Sequence, residues 1–127
     1  MSYTGHCNCT SISITLPQQP ERSVLCHCAN CKKAGGGAFS INYFVNEDDM
    51  TVEDPNGALK VYNDPNTSSG NTIKRHFCSN CGSPLYTLSP KVPGKAYLKA
   101  VLFERVSRPG MAVFEERQPE WVTISTA

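Results

Sequence analysis

The sequence lacks any apolar run approaching the roughly 20 residues that span a bilayer, and its start lacks the basic-then-apolar pattern of a secretory signal. It also lacks an excess of charge of either sign: 12 Lys and Arg face 11 Asp and Glu, a formal net charge of +1. Nothing electrostatic therefore drives tight binding to nucleic acid or anionic membranes. We expect a cytoplasmic protein, free of membrane and nucleic acid, that selects a small molecule through a pocket.

The length of 127 residues suits one domain, because folding units commonly contain roughly 50 to 200 residues. Nine Gly and nine Pro indicate many turns. Short segments alternate apolar and polar residues in the manner of half-buried strands, as in SISITL at 11–16 and AFSINYFV at 38–45. We predict a single domain over residues 1–127 of the all-β class.

Two pairs of segments have the pattern of β-hairpins. Residues 50–53 and 59–62 flank the turn-forming Asp-Pro-Asn-Gly, and residues 85–88 and 96–103 bracket Ser-Pro-Lys-Val-Pro-Gly-Lys. The second run of the latter pair is apolar enough for a buried helix, but its length and flanking turns favour a strand.

Two further features are expected to be structural. Residues 63–71 are polar without an apolar anchor, which predicts a surface connection. The side chain of Trp121, the only tryptophan, is expected to pack in the core.

Cysteine is abundant, and its count is odd. Disulfides are rare where thiols are kept reduced, and an odd number leaves one cysteine unpaired, so metal ligation is the better explanation. The seven cysteines form a C-x-C, a C-x-C-x-x-C and a C-x-x-C cluster: Cys7 and Cys9; Cys26, Cys28 and Cys31; Cys78 and Cys81.

The spacing within the clusters suits zinc. Residues two apart in an extended segment face the same side, and a C-x-x-C followed by Gly82 resembles a metal-binding knuckle. A redox dithiol would require a thioredoxin-like setting that the sequence does not show. Iron–sulfur ligation shares the thiolates, but ferredoxin-like spacings are absent. We expect two Zn²⁺ ions per chain.

Seven thiolates divide into a closed site of four and an open site of three. The middle cluster can supply three ligands alone, which pairs the first cluster with the last. That pairing would close a long loop and compensate for a small core. Spacing leaves other partitions open, such as Cys26 and Cys28 with Cys78 and Cys81.

The ordered motifs G-x-C-x-C, C-x-C-x-x-C with a following Gly-x-Phe, R-x-F-C-x-x-C-G and Q-P-E-W cover nearly the whole chain. Together they resemble the glutathione-dependent formaldehyde-activating (GFA/CENP-V) family. The resemblance implies an Mss4-like, tent-shaped β fold of short antiparallel strands that zinc holds together. It also implies a structural zinc held by Cys7, Cys9, Cys78 and Cys81. A second zinc is implied at Cys26, Cys28 and Cys31.

The resemblance further implies a carbon–sulfur lyase activity, as in the joining of glutathione to formaldehyde by S-(hydroxymethyl)glutathione synthase. An open three-thiolate zinc is a weak Lewis acid but binds sulfur readily, so a substrate thiol could occupy it as a nucleophilic thiolate. The partner would be glutathione or another small thiol. The alternative is a non-catalytic zinc module that binds proteins, as monomer or homodimer.

Candidate residues around the open site follow from their neighbours in sequence. Lys32, Lys33 and Arg75 flank cysteine clusters and could balance the negative charge. Candidates for the substrate pocket are Phe39, Ser40, Asn42 and Arg75. The three histidines neighbour ligands, and we expect surface or supporting positions rather than ligation, with His27 pointing away from the ligand face.

Overall fold

The computed structural model describes residues 2–67 and 69–125 and has ten strands and one short α-helix in this part of the chain. The strands are β1 Tyr3–His6, β2 Ser13–Leu16, β3 Ser23–Cys26, β4 Ser40–Asn46, β5 Thr51–Glu53, β6 Leu59–Asp64, β7 Ile73–Cys78, β8 Pro84–Leu88, β9 Lys95–Lys99 and β10 Pro109–Val113. Helix α1 is Ala29–Gly35, and single 3-10 turns lie at Glu47–Asp49, Ala100–Leu102 and Glu115–Arg117. The predicted all-β class is confirmed.

The strands form two sheets. The smaller has the order β1-β2-β5, and the larger has the order β10-β3-β4-β9-β8-β7-β6. All neighbours pair antiparallel except β10 and β3, which run parallel. The middle of the larger sheet, where β4, β9, β8 and β7 lie side by side, carries six of the residues that line the cavity described below.

The core contains the inward-facing apolar residues of both sheets. Ile14 from the smaller sheet, Ile12 just before it, and Tyr43, Leu85 and Leu98 from the larger sheet are fully buried. Burying such side chains contributes about 1.5–3 kcal/mol each relative to exposure. The alternation predicted for residues 11–16 and 38–45 therefore reflects a real buried face on each segment.

One of the two predicted hairpins is confirmed and the other is wrong. Strands β8 and β9 pair across the Ser-Pro-Lys-Val-Pro-Gly connection, although the apolar run leaves the strand after Lys99. By contrast, β5 pairs with β2 and β6 pairs with β7, so the segments flanking Asp54 belong to different sheets. The carboxylate of Asp54 accepts from the backbone N–H groups of Ala58 and Leu59, which turns the chain out of one sheet into the other.

Two expectations about isolated segments are also corrected. Trp121 is 80% exposed and does not plug the core, which is filled by strand residues instead. The expectation for the segment 63–71 is corrected at its start only, because β6 continues to the buried Asp64. Residues 65–67 and 69–71 are irregular and exposed or half-buried, and residue 68 lies outside the described residues. Within the described residues, no helix is both long and apolar enough to cross a bilayer.

Candidate metal centre and cavity

The first group of cysteines joins two turns that lie about seventy residues apart in the sequence. Cys7 and Cys9 lie in the β1–β2 turn, while Cys78 and Cys81 lie at the β7–β8 turn, and their four Sγ atoms all lie within 4.8 Å of one another. We call this set the four-cysteine group. It bridges the smaller sheet and the larger sheet, which is the partition favoured by ligand count.

Local hydrogen bonds shape both turns. Gly82 has a φ of +79° and donates its N–H to the Cys78 carbonyl at 2.7 Å, so the left-handed conformation expected of a knuckle is present. Ser83 links the turns: its Oγ accepts from the backbone N–H of Asn8 at 3.1 Å and lies 3.2 Å from the Cys81 sulfur.

The thiols of this group are prepared for ligation to different extents. The hydrogen bond with Ser83 lowers the pKa of Cys81 to about 5, and that with Ser11 lowers the pKa of Cys9 to about 7. Burial raises the pKa of Cys78 to about 11. Part of the group is therefore ionised at neutral pH before any metal binds, as ligation requires.

Sulfur spacing tests whether zinc fits. A tetrahedral ion with Zn–S bonds of about 2.3 Å requires S···S edges of about 3.8 Å. The Cys7–Cys9 and Cys9–Cys78 sulfurs are each 3.7 Å apart. Two of the six S···S distances of the four-cysteine group therefore match a zinc tetrahedron, and the other four lie within 4.8 Å, so the group fits a zinc ion.

The second group, which we call the three-cysteine group, forms where β3 passes into α1. Cys26 ends the strand, Cys28 is the N-cap of the helix, and Cys31 lies in its first turn. The Cys28 sulfur accepts from the Cys31 backbone N–H at 3.3 Å, which fixes the spacing of the cluster.

The Cys31 thiol donates to the Cys26 sulfur at 3.0 Å. This bond lowers the pKa of Cys26 to about 6 and raises that of Cys31. The two sulfurs are closer than a tetrahedral edge, so they would separate by about 0.8 Å on holding zinc. The donor set fits zinc after this small adjustment.

The three-cysteine group opens into a cavity of about 250 Å³. Its walls come from distant parts of the chain, including Val24 of β3, Ile73 of β7 and Phe114 after β10. The non-glycine Phe114 has a φ of +56°, a costly backbone conformation that turns it toward this wall.

An ion pair organises one side of the cavity. Arg75, on β7, donates from Nε to the Asp64 carboxylate at 2.8 Å. The same carboxylate accepts from the side chain of Asn30 in α1 and from the backbone N–H of Asn66. Burial acts to raise the pKa of Asp64, but these bonds, led by that from Arg75, lower it on balance. The pair thus ties the helix to the loop that carries Thr67, a wall residue.

Lys99, at the end of β9, lines the cavity two strands away from Arg75 in the same sheet. It is 5% exposed, and its Nζ donates to the Ser40 hydroxyl at 2.6 Å. Burial lowers its pKa, while the nearby Cys31 and Cys26 thiolates act to raise it. A buried ammonium therefore lies within the electrostatic reach of the three-cysteine group.

The architecture and both sulfur groups can now be compared with known proteins. A family model described as "Glutathione-dependent formaldehyde-activating enzyme" matches residues 2–117. The chain belongs to this family. The matched range includes both cysteine groups and all ten of the described strands.

One relative of this family member supports the assignment, and one solved structure shares its fold. A protein of Halomonas elongata described as a "Putative glutathione-dependent formaldehyde-activating enzyme" is 29% identical over 133 residues, which covers 99% of this chain and 83% of that protein. A crystal structure of a Rhodobacter sphaeroides protein superposes with a TM-score of 0.62 at 22% identity, covering 82% of this chain and 90% of the other. The second likeness concerns the fold alone.

The candidate pocket residues occupy different positions around the cavity of this family member. Asn42 and Arg75 line it, and Ser40 lies one hydrogen bond away through Lys99. Phe39 packs instead against His27, with ring centroids 5.6 Å apart, and is not among the cavity-lining residues.

Of the three basic residues next to the cysteines in sequence, Arg75 lines the cavity, whereas the two lysines of α1 do not. Lys33 is exposed and Lys32 donates to the Arg117 carbonyl, and neither lines the cavity. Lys99 replaces them, and sequence reasoning missed it. The available signal was a single lysine inside the otherwise apolar run 96–103, although only the sheet register shows which face it occupies.

None of the three histidines joins either cysteine group. His6 is exposed, and His76 is stacked on Tyr86 with centroids 4.2 Å apart. His27 is fully buried on the side away from the cavity that Cys26 and Cys28 line, as strand alternation predicts.

Proposed function

We propose that the chain is a zinc-dependent enzyme of the carbon–sulfur lyase type, which makes or breaks the bond between a thiol sulfur and the carbon of a small carbonyl compound. The name of the Halomonas relative supports glutathione and formaldehyde as the first pair to test. Their adduct is S-(hydroxymethyl)glutathione. The four-cysteine group would hold a closed, structural zinc, and the three-cysteine group a second zinc.

The observation that carries the proposal is the openness of the three-cysteine group. Among the described residues, no fourth Cys, His, Asp or Glu joins Cys26, Cys28 and Cys31, and the group faces a cavity. A structural zinc is normally closed by four protein ligands, whereas a catalytic zinc keeps one position for substrate. The bound ion would hold a substrate thiol in its nucleophilic thiolate form.

The residues of the cavity supply binding and orientation. Arg75 and the exposed Lys91 are cations on its walls, suited to the carboxylates of a thiol such as glutathione. Arg75 is held in place by Asp64, so its guanidinium is oriented before substrate arrives. Val24, Ile73 and Phe114 give the cavity apolar walls that limit water around the reacting atoms.

Free thiols also bear on location. All seven cysteines are unpaired with one another. Ligand thiols persist in that form where the compartment is reducing, which supports a cytoplasmic enzyme.

The test is turnover of a defined reaction by the zinc-loaded protein. The rate of S-(hydroxymethyl)glutathione formation from glutathione and formaldehyde is measured by NMR exchange spectroscopy against the rate without protein. We expect acceleration by the wild type and its loss in Cys28→Ser, with the fold and one zinc per chain retained. Equal turnover by Cys28→Ser would contradict catalysis at the three-cysteine group. A second zinc closed by a fourth protein ligand would favour a non-catalytic module.

A further inference from the structure

Lys99 has a position that packing alone does not explain. It ends β9 opposite Asn42 of β4, in the middle of the larger sheet, and is 5% exposed while lining the cavity. An ammonium has three N–H donors. One is used by the Ser40 hydroxyl, and within residues 2–67 and 69–125 no carboxylate forms an ion pair with Lys99.

A buried cation without a carboxylate partner costs stability, because its desolvation is not repaid by an ion pair. Cys26, Cys28, Cys31 and Arg75 line the same cavity. Negative charge on the cysteine sulfurs favours the ammonium form of Lys99, and the positive charge of Arg75 opposes it. Arg75 is already paired with Asp64. The ammonium of Lys99 is therefore free to act on a negatively charged group that enters the cavity.

Chemistry at a thiol and a carbonyl creates such a group. The carbon–sulfur bond forms with an electron pair from sulfur, the π bond of the carbonyl breaks, and its electron pair moves to oxygen. The oxygen then needs one proton to become the hydroxyl of the adduct. The thiol loses one proton when it becomes a thiolate, and the oxygen gains one, so the protons balance.

We propose that Lys99 is the general acid of this reaction, donating a proton from its Nζ to the former carbonyl oxygen, and the base that removes it in the reverse direction. This inference rests on the proposed function. The neutral amine left after donation recovers its proton from the next thiol that ionises in the cavity. Between these steps the ammonium balances the negative charge of the thiolates.

The other cationic residues of the cavity are less suited to the role. A guanidinium does not give up a proton at physiological pH, which excludes Arg75 as the donor. Lys91 is exposed, and a solvated ammonium is not held against the reacting atoms. The hydroxyl of Tyr97 has a pKa raised by burial, which makes it a poorer acid than an ordinary tyrosine. Lys99 is both held in place by Ser40 and shielded from solvent.

Three variants separate charge from proton donation. Lys99→Met removes both, Lys99→Arg keeps the charge without a transferable proton, and Lys95→Met is the matched control. Lys95 lies on the same strand, opposite Asn46, and its Nζ donates to the amide oxygen of that residue outside the cavity.

With glutathione and formaldehyde as probes, we expect Lys99→Met to lower kcat by about 100-fold or more, the usual contribution of a general acid. Its glutathione binding, measured by calorimetry on the zinc-loaded protein, should also weaken. Lys99→Arg should restore binding but not kcat, and Lys95→Met should leave both unchanged.

Thermal unfolding supplies a readout independent of turnover. The zinc-loaded Lys99→Met protein should unfold in one cooperative transition and retain two zinc ions per chain, because among the described residues Lys99 forms no ion pair with a carboxylate. Loss of this transition, or of the second zinc, together with full loss of kcat would assign Lys99 a structural role and overturn the inference.

The outcomes distinguish this inference from the function on which it rests. Turnover lost in Cys28→Ser but kept in Lys99→Met, or restored fully in Lys99→Arg, overturns proton donation by Lys99 and leaves the lyase proposal standing. No acceleration by the wild type overturns both.

Discussion

Arg75 and Asp64 join two neighbouring strands at the cavity wall, with Nε of the arginine 2.8 Å from Oδ2 of the carboxylate. Both side chains are largely buried, at 15% and 9% exposure, so solvent screens their attraction less than at an open surface. The same carboxylate holds α1 through Asn30, which places the ion pair between the helix of the three-cysteine group and the following loop.

The first prediction concerns this ion pair. Asp64→Asn should lower the free energy of unfolding at pH 7 by about 1–2 kcal/mol, because it weakens charge-assisted hydrogen bonds. The folded pKa of Asp64 lies below its ordinary value, so its contribution is present above pH about 4 and is lost as pH falls through the folded pKa.

The measurement is urea unfolding of both proteins between pH 3 and pH 7. The difference between their free energies of unfolding, the gap, should shrink toward low pH. Asp48→Asn is the control, since Asp48 is exposed. A gap that stays constant with pH would contradict the assignment of the effect to this ionised carboxylate.

The second prediction is that Cys81→Ser destabilises the whole chain. Cys81 completes the group that joins the two sheets, and the free energy of binding a structural metal contributes directly to folding. Thermal unfolding and zinc content should show a large fall in Tm with loss of the bound ion, and chelation of the wild type should act in the same direction. Cys31→Ser, in the three-cysteine group, should retain the fold. Unchanged Tm after chelation would refute a structural zinc.

The third prediction tests the knuckle. Gly82→Ala should cost about 1–2 kcal/mol, because φ at this position is +79° and an L-residue is strained there. A Cβ at Gly82 would meet no atom within 4 Å, so strain is the only cost. Gly35→Ala is the matched control: it also meets nothing, lies in α1 and should be neutral or slightly stabilising. Equal effects of the two substitutions in chemical denaturation would contradict the argument.

The fourth prediction concerns Trp121. Its indole is 80% exposed, so Trp121→Ala should change the free energy of unfolding by less than about 0.5 kcal/mol. Because it is the only tryptophan, its fluorescence reports on this position alone. The emission maximum should match that of indole in water and shift little on unfolding. A blue-shifted maximum in the folded protein would show a buried indole.

Several expectations are wrong because they concern contacts between residues that are distant in sequence. The segments on either side of Asp54 have the pattern of a hairpin, yet they pair with different partners, because strand pairing depends on which sheet has a free edge. Lys32 and Lys33 lie next to the cysteines along the chain, whereas Lys99 is distant in sequence and lines the same cavity as those cysteines. The sequence does not show that Asp64 is held in place, because its partners, Arg75 and Asn30, lie far from it along the chain.

By itself the sequence determined the local chemistry: two alternating segments with a buried face, the glycine of the knuckle, and three cysteine clusters whose spacing suits zinc. These depend on short-range geometry, which the order of residues contains. Only the tertiary structure decided which clusters meet, because Cys7 and Cys78 come together through the packing of two sheets. It also decided that the buried cation beside the three-cysteine group is Lys99, since strand register selects the side chains that share a face.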